Sequence, residues 1–234
     1  MAPLKTYSNW FVRSDDNKEQ IEPFKSYYII CEGQNTEKWY FESLIDRKRE
    51  LGIHASIDIK YLEKTKEDKD LSHPIKLMEL ANKFKENNNR QFDKNHDEMI
   101  IVFDADIYEE NKERYDSLIK EASKDNILAI TNPGFELFLL LHIENSLDEI
   151  IVPHEQEIVS NQKVGNQRFI AHLFRKTTGM NAKKNSRISE LSKDIQIAIN
   201  QEKNINNDIT KTNGKLTSNV AKVISDILND QVEF

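Results

Sequence analysis

The sequence predicts an α/β fold, a mainly parallel sheet flanked by helices, with a helical C-terminal appendage. Three observations predict it. The runs YYII at 27–30 and MIIVF at 99–103 are apolar without polar alternation, as in strands buried on both faces of a parallel sheet. Helix-period segments lie between the apolar runs, so strand and helix alternate from about residue 24 to 143. The two runs end in acids, Glu32 before Gly33 and the pair Asp104 and Asp106. In such sheets ligands gather at the carboxyl ends of the strands.

Residues 1–22 are polar and weakly patterned and read as an N-terminal tail or strap. The core is expected at 23–150 and the appendage at 151–234. Residues 24–31 form the first strand. Gly33 permits a turn, and Asn35 or Thr36 can cap the next helix. That helix sets Tyr40, Phe41, Leu44 and Ile45 on one face and ends near Leu51 and Gly52. Residues 55–62 alternate, with Ala55, Ile57, Ile59 and Tyr61 against Ser56, Asp58 and Lys60, which predicts a half-buried strand toward the sheet edge. A charged loop follows at 63–70, then a helix at 72–89 with Pro74 in its first turn. Residues 98–103 are the second buried strand, 111–123 a helix, and 127–131 a short strand ending at Asn132-Pro133-Gly134. The segment FELFLLLHI at 135–143 is apolar nearly all round, hence a buried helix. Beyond about residue 145 the strand signal fades, and helices are expected at 154–162, 166–176, 187–202 and 217–230.

Composition narrows the function classes. The chain has 234 residues, 38% hydrophobic and 31% charged, enough apolar residues for a core. No apolar run approaches the roughly 20 residues of a membrane span, and the N-terminal stretch lacks the uninterrupted apolar region of a secretory signal. The single cysteine, Cys31, excludes an internal disulfide and a multi-cysteine zinc site. A cytoplasmic location is therefore expected. No glycine-lysine P-loop is present, so the chain should not be an ATPase by itself. Net charge is −7, yet residues 161–193 carry eight basic residues and one acid. That segment suits a polyanion such as nucleic acid, or is simply a solvated helical face.

The acids suggest metal chemistry. Asp104 and Asp106 fall on one face of an extended segment, because strand side chains repeat every second residue. Magnesium or manganese takes hard oxygen ligands of this kind, and such ions cut phosphodiesters by activating water and stabilising the leaving oxygen. Glu32, at a neighbouring strand end, serves as ligand or general base. Strand-Glu-Gly followed later by strand-Asp-x-Asp is the pattern of the Toprim fold. In CEGQNTEKWYF at 31–41, VFDAD at 102–106 and NPGFELFLLLH at 132–142, with a weaker match in LTSNVAKVISDIL at 216–228, the chain resembles the RloB-like family. That is a Toprim-fold branch near the overcoming-lysogenization-defect nucleases. The resemblance implies a Mg2+- or Mn2+-dependent nuclease of DNA or RNA, tRNA included, acting as the effector of a phage-defence system beside a separate ATPase. It extends the metal set to Glu37, at slightly longer spacing than in the related nucleases, and to Glu136. Those nucleases carry a lysine after the acidic motifs. Lys176 in FRKTTG is the weakly matching candidate, with Arg175 and Arg168 as rivals.

Plainer readings stand beside these. Glu32 can be a simple turn residue, Asp104 and Asp106 helix caps, and Glu37 a favourable charge at a helix N-terminus. Glu136 either caps its helix or faces the site. His142 is expected to be a hydrogen-bonded structural histidine, and Cys31 a buried structural thiol. VFDAD also resembles the nucleophile pair of haloacid-dehalogenase phosphatases, but a strand, the Glu-Gly turn and two helices precede it here. The main alternative is a non-catalytic Toprim-fold module that docks on a partner ATPase. The sequence leaves the oligomeric state open, a dimer included.

Overall fold

The structure is a computed structural model that describes residues 5–6, 24–64, 73–88, 91–108 and 111–231. Its elements run in chain order as β1 (Lys5–Thr6), β2 (Lys25–Cys31), α1 (Thr36–Asp46), β3 (Ile57–Glu63), α2 (Pro74–Asn87), β4 (Glu98–Asp104), α3 (Lys112–Ala122), β5 (Ile127–Asn132) and α4 (Phe135–Leu140). The C-terminal part adds α5 (Glu155–Ser160), the hairpin β6 (Lys163–Val164) and β7 (Gln167–Arg168), α6 (Phe169–Thr178), α7 (Ile195–Glu202), β8 (Thr217–Ser218) and α8 (Val220–Leu228).

Six strands form one sheet in the order β1-β3-β2-β4-β5-β8. The four inner strands are parallel, and the two-residue edge strands β1 and β8 are antiparallel. This is the α/β architecture that the alternation of strands and helices predicts. The expected strap at 1–22 lies outside the described residues except for Lys5 and Thr6, which pair with β3.

The unbroken apolar runs are buried on both faces, as their pattern requires. Tyr27, Ile29 and Cys31 of β2 join one hydrophobic cluster; Tyr28 and Ile30 join another on the opposite face with α2 and α3. The alternating segment becomes β3, with Ile57, Ile59 and Tyr61 buried and Asp58 and Lys60 partly exposed. Pro74 opens α2. The helix expected at 135–143 is shorter, Phe135–Leu140, but buried as predicted, with Leu137 to Leu141 at 0% exposure.

The fading strand signal after residue 145 hides a short hairpin, β6 and β7, and one strand of the main sheet. Thr217 and Ser218 pair with Asn132 and Thr131 at the end of β5. Asn219 then continues the ladder with its side chain: its Nδ2 donates to the Leu128 carbonyl at 2.7 Å, and its Oδ1 accepts from the Ile130 N–H at 2.6 Å. The weaker LTSN match is therefore the stretch that closes the sheet edge. The residues expected as an appendage share a hydrophobic cluster with the sheet, through Ile158, Phe174, Ile188, Ile195 and Ile224 among others. Tyr27 of β2 donates to Asp230 at 2.6 Å, and Lys25 bridges it at 3.1 Å, tying the C-terminal segment back to the first long strand.

Candidate functional site

The acids meet where parallel strands end. Glu32 follows β2, Asp104 ends β4, Asp106 opens the next 3-10 turn, and Glu37 and Glu136 lie in the first turns of α1 and α4. The Asp104 N–H donates to the Glu32 carboxylate at 3.3 Å. Thr131 of β5 donates its hydroxyl to Asp104 Oδ1 and so fixes that carboxylate.

Two glycines make room for the cluster. A Cβ at Gly33 would lie 1.9 Å from Glu37 Oε2, and one at Gly134 3.1 Å from Glu136 Oε2 and 3.7 Å from Asp104 Oδ2. The sequence suggests Gly33 for turn flexibility, but neither Gly33 nor Gly134 has a positive φ. What needs glycine is the space that the Glu37 and Glu136 carboxylates occupy. Glu37 folds back to accept from its own N–H and that of Gly33, so it closes the start of α1.

The expected caps are used otherwise. The Asn35 side chain donates to the Lys183 carbonyl at 3.2 Å, and Thr36 Oγ1 to the Ala182 carbonyl at 2.9 Å. These bonds hold the 182–183 loop beside the acids.

The electrostatics show five carboxylates within mutual reach. Burial pushes Glu32 up to about 7, with Glu37 and Asp106 adding to the rise and the Asp104 N–H and Lys64 opposing it. Burial raises Asp104 well above the usual carboxylate range, with Glu37, Glu32 and Glu136 adding to it. Glu37 and Glu136 are raised, first by burial, then by Glu136 and Asp106 respectively. The opposing cations are Lys64, which acts on Glu32 and Glu37, and Lys183, which acts on Glu136. Lys64 also donates to the backbone carbonyl of Glu32, and burial lowers its own pKa. This concentration of negative charge, opposed among the described residues by Lys64 and Lys183, favours protonation or a bound cation.

By chemistry the donors fit a hard divalent ion: every one is a carboxylate oxygen. By spacing the fit is incomplete, since among the described residues no three His, Cys, Asp or Glu side chains form a group placed to hold a metal. Glu32, Glu37, Asp104, Asp106 and Glu136 are the residues that would hold such an ion.

Lys176 lies on α6. It is exposed in the last turn of that helix, and the cations acting on Glu32, Glu37 and Glu136 are Lys64 and Lys183 instead. Arg175 and Arg168 are exposed too. Sequence reasoning missed Lys64 by leaving it in a charged loop, although it directly follows a strand, like Glu32. His142 is structural as expected. The Phe138 carbonyl can only accept, so Nδ1–H donates to it at 3.0 Å and Nε2 accepts from Tyr40 Oη at 2.8 Å. Burial pulls its pKa down to about 4. Cys31 is buried, and burial holds its thiol well above its ordinary value, which suits the structural thiol that the sequence predicts.

Among the described residues no helix is long and apolar enough to cross a membrane. No curated protein and no solved structure matches the chain. A family model described as RloB-like protein matches residues 27–227, from within β2 to within α8, and on that match the chain belongs to the RloB-like family.

Proposed function

We propose that the protein is a metal-dependent nuclease that hydrolyses phosphodiester bonds in DNA or RNA, with tRNA among its candidate substrates. The observation that carries this reading is the convergence of Glu32, Glu37, Asp104, Asp106 and Glu136, from separate elements, at the carboxyl ends of the parallel strands. A bound Mg2+ or Mn2+ would supply an activated water and charge stabilisation for the leaving oxygen. Thr131 orients Asp104, and Lys64 anchors the Glu32 turn. Glu32, pushed up to about 7, is suited to hold or release a proton near neutral pH. The RloB-like resemblance supports a role as the effector of a phage-defence system, with a separate ATPase as partner.

The test is cleavage of labelled DNA, RNA and tRNA with magnesium or manganese, with and without the partner ATPase. Cleavage that EDTA and an Asp104→Ala, Asp106→Ala double variant both abolish establishes the reading. Undiminished cleavage by the folded double variant ends it.

One observation favours a second reading, a non-catalytic module that docks on the ATPase: the carboxylates are not drawn into a ready-made metal group. Stable association with the ATPase, and no cleavage of any substrate with either metal, would select it.

A further inference from the structure

Beside the acids lies an open cavity of about 310 Å³, at the lower end of the size range of ligand pockets. Ala105, between Asp104 and Asp106 in the chain, and Asn132, beyond Thr131, line it. Among the described residues it is also lined by Lys112, Lys211 and Lys215, with Asp116 as the acid. Tyr108, in the same lining, lies within electrostatic reach of Glu32, so a cavity carrying three lysines adjoins the acids and suits the phosphate next along a phosphodiester chain.

The wall is built rather than incidental. Asn132 donates from Nδ2 to the carbonyls of Thr212 and Lys215, at 3.0 and 2.9 Å. Tyr115 donates to the Ile209 carbonyl at 2.6 Å. The loop bearing Lys211 and Lys215 is thereby bolted to the end of β5 and to α3, the helix that bears Lys112. Lys211 is itself braced by Asp208 at 2.7 Å. Tyr108 also lines the cavity; it is 5% exposed, and its hydroxyl has no partner among the described residues. A buried hydroxyl without a partner is costly, and a phenylalanine packing the same wall would avoid that cost.

We infer that this cavity is the subsite for the nucleotide adjoining the scissile phosphate, with Lys112, Lys211 and Lys215 contacting its phosphate. The inference rests on the nuclease reading and assigns where the nucleic-acid strand runs. The basic segment at 161–193, which the sequence singles out, is not part of this cavity.

The test measures binding without cleavage. The parent is the full-length Asp104→Asn protein, titrated with fluorescein-labelled oligothymidylate and oligouridylate over a range of salt. One derivative carries Lys112→Glu and Lys215→Glu, both at exposed positions. A control carries Lys94→Glu and Lys124→Glu, in a different cavity that Glu98 and Ile127, at the starts of β4 and β5, help to line. The two pairs change net charge equally, so bulk electrostatics cannot separate them. The expected result is roughly tenfold or greater weakening by the first pair, with a salt slope shallower by about 2, and less than about threefold by the control. Equal effects of the two pairs, or a harmless first pair on a parent that binds, overturn the subsite and leave the nuclease reading standing. A parent that binds neither oligonucleotide overturns both.

Discussion

Two buried acidic sites in this protein meet their cost of burial in opposite ways. Glu202, 2% exposed at the end of α7, accepts from Ser218 Oγ at 2.5 Å, the Ala221 N–H at 3.0 Å and the Lys222 N–H at 2.7 Å. The last two are first-turn donors of α8, so this carboxylate closes a helix N-terminus. Burial raises its pKa, against which all three bonds pull. At the crevice burial raises the pKa values too, but there the carboxylates push one another further up. Glu202 meets its demand with the protein's own donors; the crevice leaves a demand that only protons or a cation can meet. A raised pKa therefore does not mark function by itself. The neighbours separate the two: hydrogen-bond donors surround Glu202, and other acids surround the crevice carboxylates.

The strongest way to break this contrast is at Asp104. Asp104→Asn keeps the shape and the Thr131 contact but removes a charge that its neighbours oppose. Cleavage should fall by at least roughly 100-fold, since metal-assisted charge stabilisation is worth several kcal/mol. Thermal unfolding should show stability unchanged or higher. A variant that unfolds early would make Asp104 a structural acid like Glu202.

The mirror experiment is Glu202→Ala. It strands two helix N–H groups and the Ser218 hydroxyl in a buried place, so urea unfolding should show a loss of about 3 kcal/mol. Activity per folded molecule should be retained. A neutral effect on stability would remove the structural half of the comparison.

Protons and magnesium should compete for the crevice, whereas magnesium should leave Glu202 untouched. Glu32 has a folded pKa of about 7 against 4.5 unperturbed. Between these values the folded state binds more protons than the unfolded chain. Without divalent ions, its contribution to stability is therefore present below about pH 4.5 and lost as pH rises toward about 7. Magnesium needs the ionised carboxylates, so it should stabilise more at about pH 8 than at about pH 5. At about ten times its dissociation constant the gain is about 1.4 kcal/mol at the higher pH. Calorimetry on the wild type and on a Glu32→Gln, Asp104→Asn variant checks this. The variant should show a shallower pH slope, since Glu37 and Glu136 stay raised, and no magnesium response, whereas Glu202→Gln should keep the magnesium response.

How legible these sites were in the sequence follows from the range of the interactions that build them. β2 and β4 are plain because burial on both faces removes polar alternation, and Glu32, Asp104 and Asp106 follow from where those runs stop. Glu37 and Glu136 come only from the family motifs; nothing in their spacing alone separates a helix-capping acid from a crevice acid. β8 is two residues long, too short to show a period, and its pairing is completed by the Asn219 side chain. The role of Gly33 is steric, and a sequence cannot show that a carboxylate will fold over it. Lys183 reaches the crevice through the Asn35 and Thr36 bonds to residues 182–183, which span nearly 150 positions of sequence. Glu202 carried no motif at all, because its partners are backbone groups of a helix that begins eighteen residues later.

The cations give the smallest and sharpest test, because sequence resemblance and geometry point to different lysines. Resemblance points to Lys176, after the acidic motifs. Geometry points to Lys64, which follows β3, contacts the Glu32 carbonyl and acts on Glu32 and Glu37. Lys64→Met removes that charge and the anchor of the turn while keeping an apolar stem of similar length. Cleavage should drop about fivefold, ~1 kcal/mol in the barrier, and the apparent pKa of Glu32 should rise because an opposing cation is gone. The rise is the decisive readout, since loose packing alone would not move the acid limb of the pH–rate profile upward. Lys176→Ala, at an exposed position, should stay within about twofold of wild type. A silent Lys64→Met with a disabled Lys176→Ala would mean that the crevice draws its working cation from α6.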